Sequence, residues 1–289
     1  MQELIEQFIR ERMYFKNVNS KTVAWYRQSF HAFEGAIDTR AAIGQRIGQL
    51  RERGVSAASV NTYLRVVNAF HSWAKAEGHV TGERVHIPRL KEEQKVLETL
   101  TPEHIQRIVS FRPKKVSERR VHVIVCVLLD TGLRINEAFL LTREDVDLEN
   151  LLLRVNGKGS KQRIVPISME GRKVLWKWLR DKEPYDLVFA TRSGTLANYR
   201  NYLRDFKILG KKLQITGVRL SFHTLRHTFA VNYIRNGGDV FRLQRVLGHS
   251  TLEMTRRYVN LQTADLQSVH DKFSLLAVVG RGVAGKGVA

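Results

Sequence analysis

Six side chains in this sequence are of kinds that handle a negatively charged oxygen, and they occur in a definite order. Arg134 stands in Thr131-Gly132-Leu133-Arg134-Ile135-Asn136-Glu137, and Lys158 in the glycine-flanked run Gly157-Lys158-Gly159-Ser160-Lys161. His223 and Arg226 share His223-Thr224-Leu225-Arg226-His227; His249 follows Leu247-Gly248; Tyr258 comes nine residues after His249. Two guanidiniums offer planar forks that bond phosphate oxygens in pairs. Histidines move protons near neutral pH, and a tyrosine hydroxyl becomes a nucleophile once its proton is taken. No compact Asp/Glu cluster accompanies them, so the expectation is no metal and no other cofactor.

Taken singly, each has a plainer explanation. Most arginines sit on surfaces, and most of the chain's 8 tyrosines must serve packing. His223 and His227 are four apart on a helix, the spacing of a zinc pair, but a zincin needs glutamate at position 224, where Thr224 stands. His227 therefore reads as structural. Lys161 competes with Lys158, and spacing favours Lys158. The Gly157–Gly159 loop lacks the spacing of a nucleotide P-loop.

The elements that must gather these groups are legible from period and punctuation. Val121–Asp130 reads as an apolar helix closed by Gly132, which delivers Arg134 just past a helix end. Leu151–Val155 and Arg163–Ile167 are β-type runs around the glycine-rich turn, a hairpin with Lys158 at its tip. Helices follow at Met169–Arg180, Leu196–Leu209, Thr224–Arg235 and Val240–Leu247. Ser250-Thr251-Leu252-Glu253 resembles a capping box, which places Tyr258 near the end of a two-turn helix short enough to shift. A further helix is expected after Thr263.

The first 90 residues read as four short amphipathic helices in a small bundle. In the longest, capped by Ser56, Val60, Tyr63, Leu64, Val67, Phe70 and Trp73 recur at threes and fours. Gly82–Val96 carries Pro88 and several charges without a sustained period, so it reads as a linker. Thr101-Pro102-Glu103 opens the next helix with a capping threonine, a first-turn proline and an acid at the positive end. The expected division is a helical domain at 1–85, a linker at 86–99, a catalytic domain at 100–270 and a tail at 271–289.

Composition narrows the function classes. The 48 Lys and Arg against 28 Asp and Glu give a net charge of +20, split +5 for residues 1–92 and +15 for the remainder. That surplus argues against an ordinary metabolic enzyme and for a polyanion partner, nucleic acid ahead of acidic lipid. With 43% hydrophobic residues the chain can bury real cores. No apolar run approaches the roughly 20 residues of a membrane span. The lone Cys126 cannot form an internal disulfide and reads as a small core residue. A cytoplasmic protein without a membrane partner is expected.

In order and spacing the six residues resemble the tyrosine recombinases, the integrase family that includes the Xer proteins. Arg134 and Glu137 match an Arg-x-x-Glu after a Thr-Gly-Leu turn, and Lys158 a hairpin lysine two dozen residues on. His223 and Arg226 match His-x-x-Arg, His249 the Gly-His, and Tyr258 the tyrosine that follows. The likeness covers Thr101–His270 and, more loosely, the N-terminal bundle, which is similar to the family's core-binding domain.

The resemblance implies a mainly α fold with a small antiparallel sheet, in two domains that clamp duplex DNA. Tyr258 would attack the phosphorus and expel a 5′-hydroxyl, leaving a 3′-phosphotyrosine that stores the bond energy without ATP. Arg134 and Arg226 would hold the non-bridging oxygens, Lys158 protonate the leaving oxygen, His223 accept the tyrosine proton, and His249 bond the phosphate or assist. Glu137 would orient Arg134 or hold the fold. The implied function is site-specific recombination through a Holliday junction by a homotetramer on two core sites. Residues past Thr263 would pass to a neighbouring protomer or pack on their own domain. With no arm-binding domain ahead of the bundle, the chain resembles the simpler type that reads a core site alone; nothing in the residues speaks to an accessory protein. A type IB topoisomerase shares the chemistry, but the bundle and compact Xer-like spacing speak against it. A non-catalytic DNA-binding protein has no reason to keep six such residues in order.

Overall fold

The computed structural model describes residues 1–93, 97–157, 162–181, 185–191 and 193–259. Lys158, Lys161 and the expected C-terminal helix and tail lie outside the described residues. The chain divides into two compact units, Met1–Lys95 and Val96–Ala289.

The first unit contains α1 (Gln2–Phe15), α2 (Ser20–Phe33), α3 (Arg40–Glu52) and α4 (Ala57–Ala76). Asn19 and Ser56 cap α2 and α4 by accepting from the Thr22 and Ser59 amides. The core is aromatic: Phe8 meets Phe70 edge-on at 5.7 Å, and Phe30, Phe33 and Trp73 close around them. Part of the stretch read as linker packs here instead. Asn68 exchanges hydrogen bonds with Ile87 (N–H donating at 3.0 Å, C=O accepting at 2.9 Å). Asn61, two turns earlier on α4, does the same with Leu90 at 2.8 and 2.9 Å. Two side-chain amides thus serve the extended chain as a β partner would, and Ile87 is buried.

The second unit is built around α6 (Val116–Thr131), whose Val121, Val123, Ile124, Val125, Val127 and Leu128 are all buried. A helix this apolar around its circumference must be covered on several sides. α8 (Met169–Arg180), α9 (Tyr199–Lys212) and α10 (Phe222–Arg235) pack on it, with α5 (Pro102–Ser110) alongside. Gly132 ends α6 at φ +65°, and a Cβ there would run into the Phe229 ring and Leu247. Only glycine makes both the turn and the close approach. The chain then enters α7 (Ile135–Phe139), a single turn that the sequence pattern did not reveal.

A three-stranded antiparallel sheet, β1 (Val146–Asp147), β2 (Leu152–Asn156) and β3 (Gln162–Pro166), lies in that order. Leu153 pairs with Val165 and Val155 with Arg163, so these four share the inward face. α11 (Val240–Leu247) and α12 (Glu253–Val259) complete the described chain. α9 begins three residues later than its hydrophobic pattern suggests, where Asn198 accepts from the Arg200 and Asn201 amides. The fold is mainly helical with a small antiparallel sheet, as the sequence implied. No described helix is long and apolar enough to cross a membrane.

Candidate active site

The last carbonyls of a helix have no partner within it and carry the negative end of its dipole. At the C-terminus of α11 three guanidiniums supply the missing donors. Arg163 donates to Val246 O at 2.9 Å. Arg226 donates to Leu247 O at 2.8 Å, and Arg134 to Leu247 O and Gly248 O at 3.2 and 3.3 Å. Arg226 makes a further bond to Gly132 O at 2.8 Å, tying α10 to the turn that carries Arg134. The two expected phosphate-binding arginines are therefore brought together by backbone oxygens, which fix them without neutralising them.

One carboxylate serves this group. Glu137 accepts from Arg134 Nη1 at 2.9 Å and takes both Arg163 amino groups, at 3.0 and 2.8 Å. Its second oxygen also accepts from the Arg134 amide at 2.8 Å, closing the first turn of α7. Burial works to raise its pKa, but the Arg163 bonds and charge, then Arg134, outweigh that and hold it below the usual carboxylate range. Arg226 is 5% exposed, and burial, reinforced by the Arg134 charge, pushes its pKa down to about 9. Three guanidiniums against one carboxylate leave two positive charges uncompensated by these side chains, which suits a phosphorane gathering negative charge.

Glu137→Gln is expected to destabilise the protein by about 3 kcal/mol at neutral pH, because two guanidiniums lose a buried partner. Since the folded-state pKa is depressed, this stabilisation is present above the unfolded value and is lost as pH falls through the folded one. Urea melts of the two proteins should therefore converge at low pH; a constant gap would mean the carboxylate's charge is not what holds the arginines.

α12 brings the remaining groups. Tyr258 is wholly buried among Ala230, Val231, Leu243 and Leu247. Its ring lies parallel to His249, at 6.4 Å and 12°. His249, in the turn between α11 and α12, is itself buried, and its Nδ1 lies 2.8 Å from Thr255 Oγ1 on α12, which fixes its orientation. The turn needs Gly248, which has φ +63°; a Cβ there would stand 3.0 Å from Arg163 Cζ. The Tyr258 hydroxyl is 2.9 Å from His227 Nδ1. His223 is exposed on the first turn of α10, one turn ahead of His227.

Two residues of this site were missed by sequence reasoning. Arg163 had a signal: strand alternation puts it on the same face as buried Val165, and an inward arginine demands a carboxylate. His227 was read as structural, yet it meets the tyrosine hydroxyl directly.

Residues 98–265 match the Phage integrase family. The chain belongs to that family, the tyrosine recombinases. It is 25% identical to tyrosine recombinase XerD of Staphylococcus aureus over 291 residues, covering 94% of this chain and 99% of that one. The Staphylococcus saprophyticus XerD is 24% identical over 299 residues, with the same coverage of each. Among solved structures, the Tn1549 transposon integrase in complex with transposon right end DNA superposes with a TM-score of 0.77 at 21% identity, covering 89% of this chain and 93% of that one. The XerH recombinase bound to palindromic difH, a post-cleavage complex, gives 0.72 at 19% identity over 92% and 83% of the two chains. These superpositions show a shared fold. The protein is a tyrosine site-specific recombinase, an enzyme of the family that breaks and rejoins DNA.

Proposed function

We propose that this recombinase exchanges strands between two duplex core sites, through 3′-phosphotyrosine intermediates and a Holliday junction, as a homotetramer and without metal or ATP. The observation that carries the reading is the meeting of Arg134 and Arg226 on Leu247 O, with His249 and Tyr258 in the turn and helix that follow. The two guanidiniums bind the scissile phosphate's non-bridging oxygens. Lys158 protonates the 5′-oxygen, and the tyrosine proton passes to a histidine of α10, the role that the resemblance gives to His223. His249 bonds the phosphate or assists, and Glu137 orients Arg134. Tyr258 is the nucleophile, presented by α12, a helix of only 7 residues. The solved complexes of similar proteins on DNA, with the +20 charge, support a duplex partner. Residues 1–85 serve as the core-binding domain, 100–270 as the catalytic domain, and 271–289 as a tail for a neighbouring protomer.

A nicked suicide duplex tests the chemistry. Incubated in excess EDTA without nucleotide, the protein should give a covalent band on a denaturing gel, and peptide mapping should place the DNA on the Tyr258 peptide. Cleavage that the chelator abolishes and Mg²⁺ restores would overturn the metal-free mechanism. In the same assay Arg226→Ala should slow adduct formation on the order of 10²–10³-fold, the loss of one oxyanion partner.

A further inference from the structure

We propose that His227, and not the His223 that the resemblance implies, is the base that takes the proton of the Tyr258 nucleophile. The proposal rests on the reading of Tyr258 as nucleophile, and the observation behind it is the 2.9 Å contact between His227 Nδ1 and the Tyr258 hydroxyl. With the ring in its Nε2–H tautomer, Nδ1 offers a lone pair and the phenol donates to it. This is a nucleophile and a base already within hydrogen-bond reach.

The surroundings fit. Tyr258 has no solvent exposure, so its proton cannot pass straight to bulk water, whereas the His227 ring sits 5.7 Å away at a tilt of 50°. His249 lies flat along the tyrosine with its Nδ1 against Thr255, the posture of a group that holds the ring. His227 follows Arg226 directly on α10, and the Arg226 charge interacts with Tyr258. The proton acceptor and a phosphate-binding guanidinium therefore come from one turn of one helix.

In the forward step the Tyr258 O–H bond breaks and its proton passes to Nδ1, giving an imidazolium. The phenolic oxygen bonds to phosphorus, the P–O5′ bond breaks, and the departing oxygen takes a proton from the general acid. In rejoining, a 5′-hydroxyl returns its proton to the deprotonated general acid as it attacks the phosphotyrosine, the P–O(Tyr258) bond breaks, and the imidazolium gives its proton to the leaving phenol. The ring's positive charge appears as the phosphorane gathers negative charge.

The test is single-turnover adduct formation by the full chain on the nicked suicide duplex. His227→Asn keeps an acceptor oxygen near the place of Nδ1 but cannot hold a proton; His227→Ala keeps neither. Both should fold and bind DNA as the wild type does, His227→Ala melting somewhat lower for want of the bond to the buried phenol, and both should lose on the order of 10²–10⁴-fold in rate. Incorporating 3-fluorotyrosine at position 258, a more acidic phenol, should restore most of the rate lost in His227→Asn while changing the wild type little. An Asn variant near wild-type rate, or a loss that fluorotyrosine does not repair, overturns the proposal, leaving His227 to hold the ring. His227→Gln carries the same comparison if Asn does not fold. Should Tyr258→Phe still form an adduct, the nucleophile reading itself fails; should it not, while His227→Asn reacts normally, only the His227 assignment falls.

Discussion

Tyr258→Phe is expected to bind a core-site duplex as the wild type does and to form no covalent adduct with it. The ring's packing against His249, Ala230, Val231, Leu243 and Leu247 is unchanged by loss of an oxygen. What disappears is the hydrogen bond to His227, worth about 0.5–1.5 kcal/mol net. Leaving the imidazole nitrogen without that partner adds about 1–3 kcal/mol at most, and less where the half-buried ring reaches water. The fold should survive that. DNA affinity comes from phosphate contacts spread over a protein of net charge +20, which one phenol does not alter. The adduct, by contrast, needs an oxygen on the ring. Gel shifts at matched salt report the binding, and denaturing gels of the nicked duplex report the chemistry. A shifted covalent band from the Phe variant would remove Tyr258 as nucleophile and return it to the ranks of packing tyrosines.

Much of the frame that presents Tyr258 is legible in the chain because its signals are local. The end of α6 is announced by an apolar run followed by Gly132, and the hairpin by two β-rich runs around glycines. The short helix of Tyr258 is expected from Ser250 and Glu253, but α12 covers Glu253–Val259, so Glu253 stands in its first turn and Ser250 lies ahead of the cap position, its hydroxyl 3.9 Å from Met254 Sδ. What local pattern does not carry is partnership between distant segments. Arg163 matters through Glu137 and Val246, and each of those contacts is made by folding. His227 differs from any core histidine only because α12 lays a tyrosine against it. The single turn of α7 and the two residues of β1 are too short for a period to register.

The stretch after α4 shows the same limit from the other side. Residues 85–92 have no helical or strand period, and chain of that kind reads as free linker. Asn61 and Asn68 sit seven apart on α4, so one helix face presents two amides at the spacing of the extended chain. A pair of asparagines on a helix carries no mark of that use, and the neighbouring charges give the stretch a linker's composition. The candidate site residues, in contrast, stand out in the chain because chemistry constrains both residue type and order, and the structure brings Arg134, Arg226, His249 and Tyr258 to the end of α11 and the turn and helix after it. Six residues able to handle a phosphate, at family spacing, cannot be moved among helices without losing the site.

Lys158→Ala should be strongly impaired on ordinary DNA and largely rescued on a substrate whose leaving oxygen is sulfur. Lys158 lies in the connection between the paired residues Asn156 and Gln162, flanked by Gly157 and Gly159. If it protonates the 5′-oxygen, its loss matters only because an alkoxide departs poorly, and the cost is on the order of 10²–10⁴-fold. A 5′-bridging phosphorothiolate departs as a thiolate without needing that proton, so the variant should then approach the wild type. Arg134→Ala should gain far less, because the non-bridging oxygens still need the guanidinium that α7 and Gly248 O hold in place. Lys161→Ala separates chemistry from attraction, since it removes the same charge from the same connection three residues on. Rescue of Lys161→Ala, with Lys158→Ala nearly normal, would move the acid to Lys161. Equal and modest losses in both, unrelieved by sulfur, would mean that the two lysines only hold the DNA backbone, and that the leaving oxygen takes its proton from elsewhere.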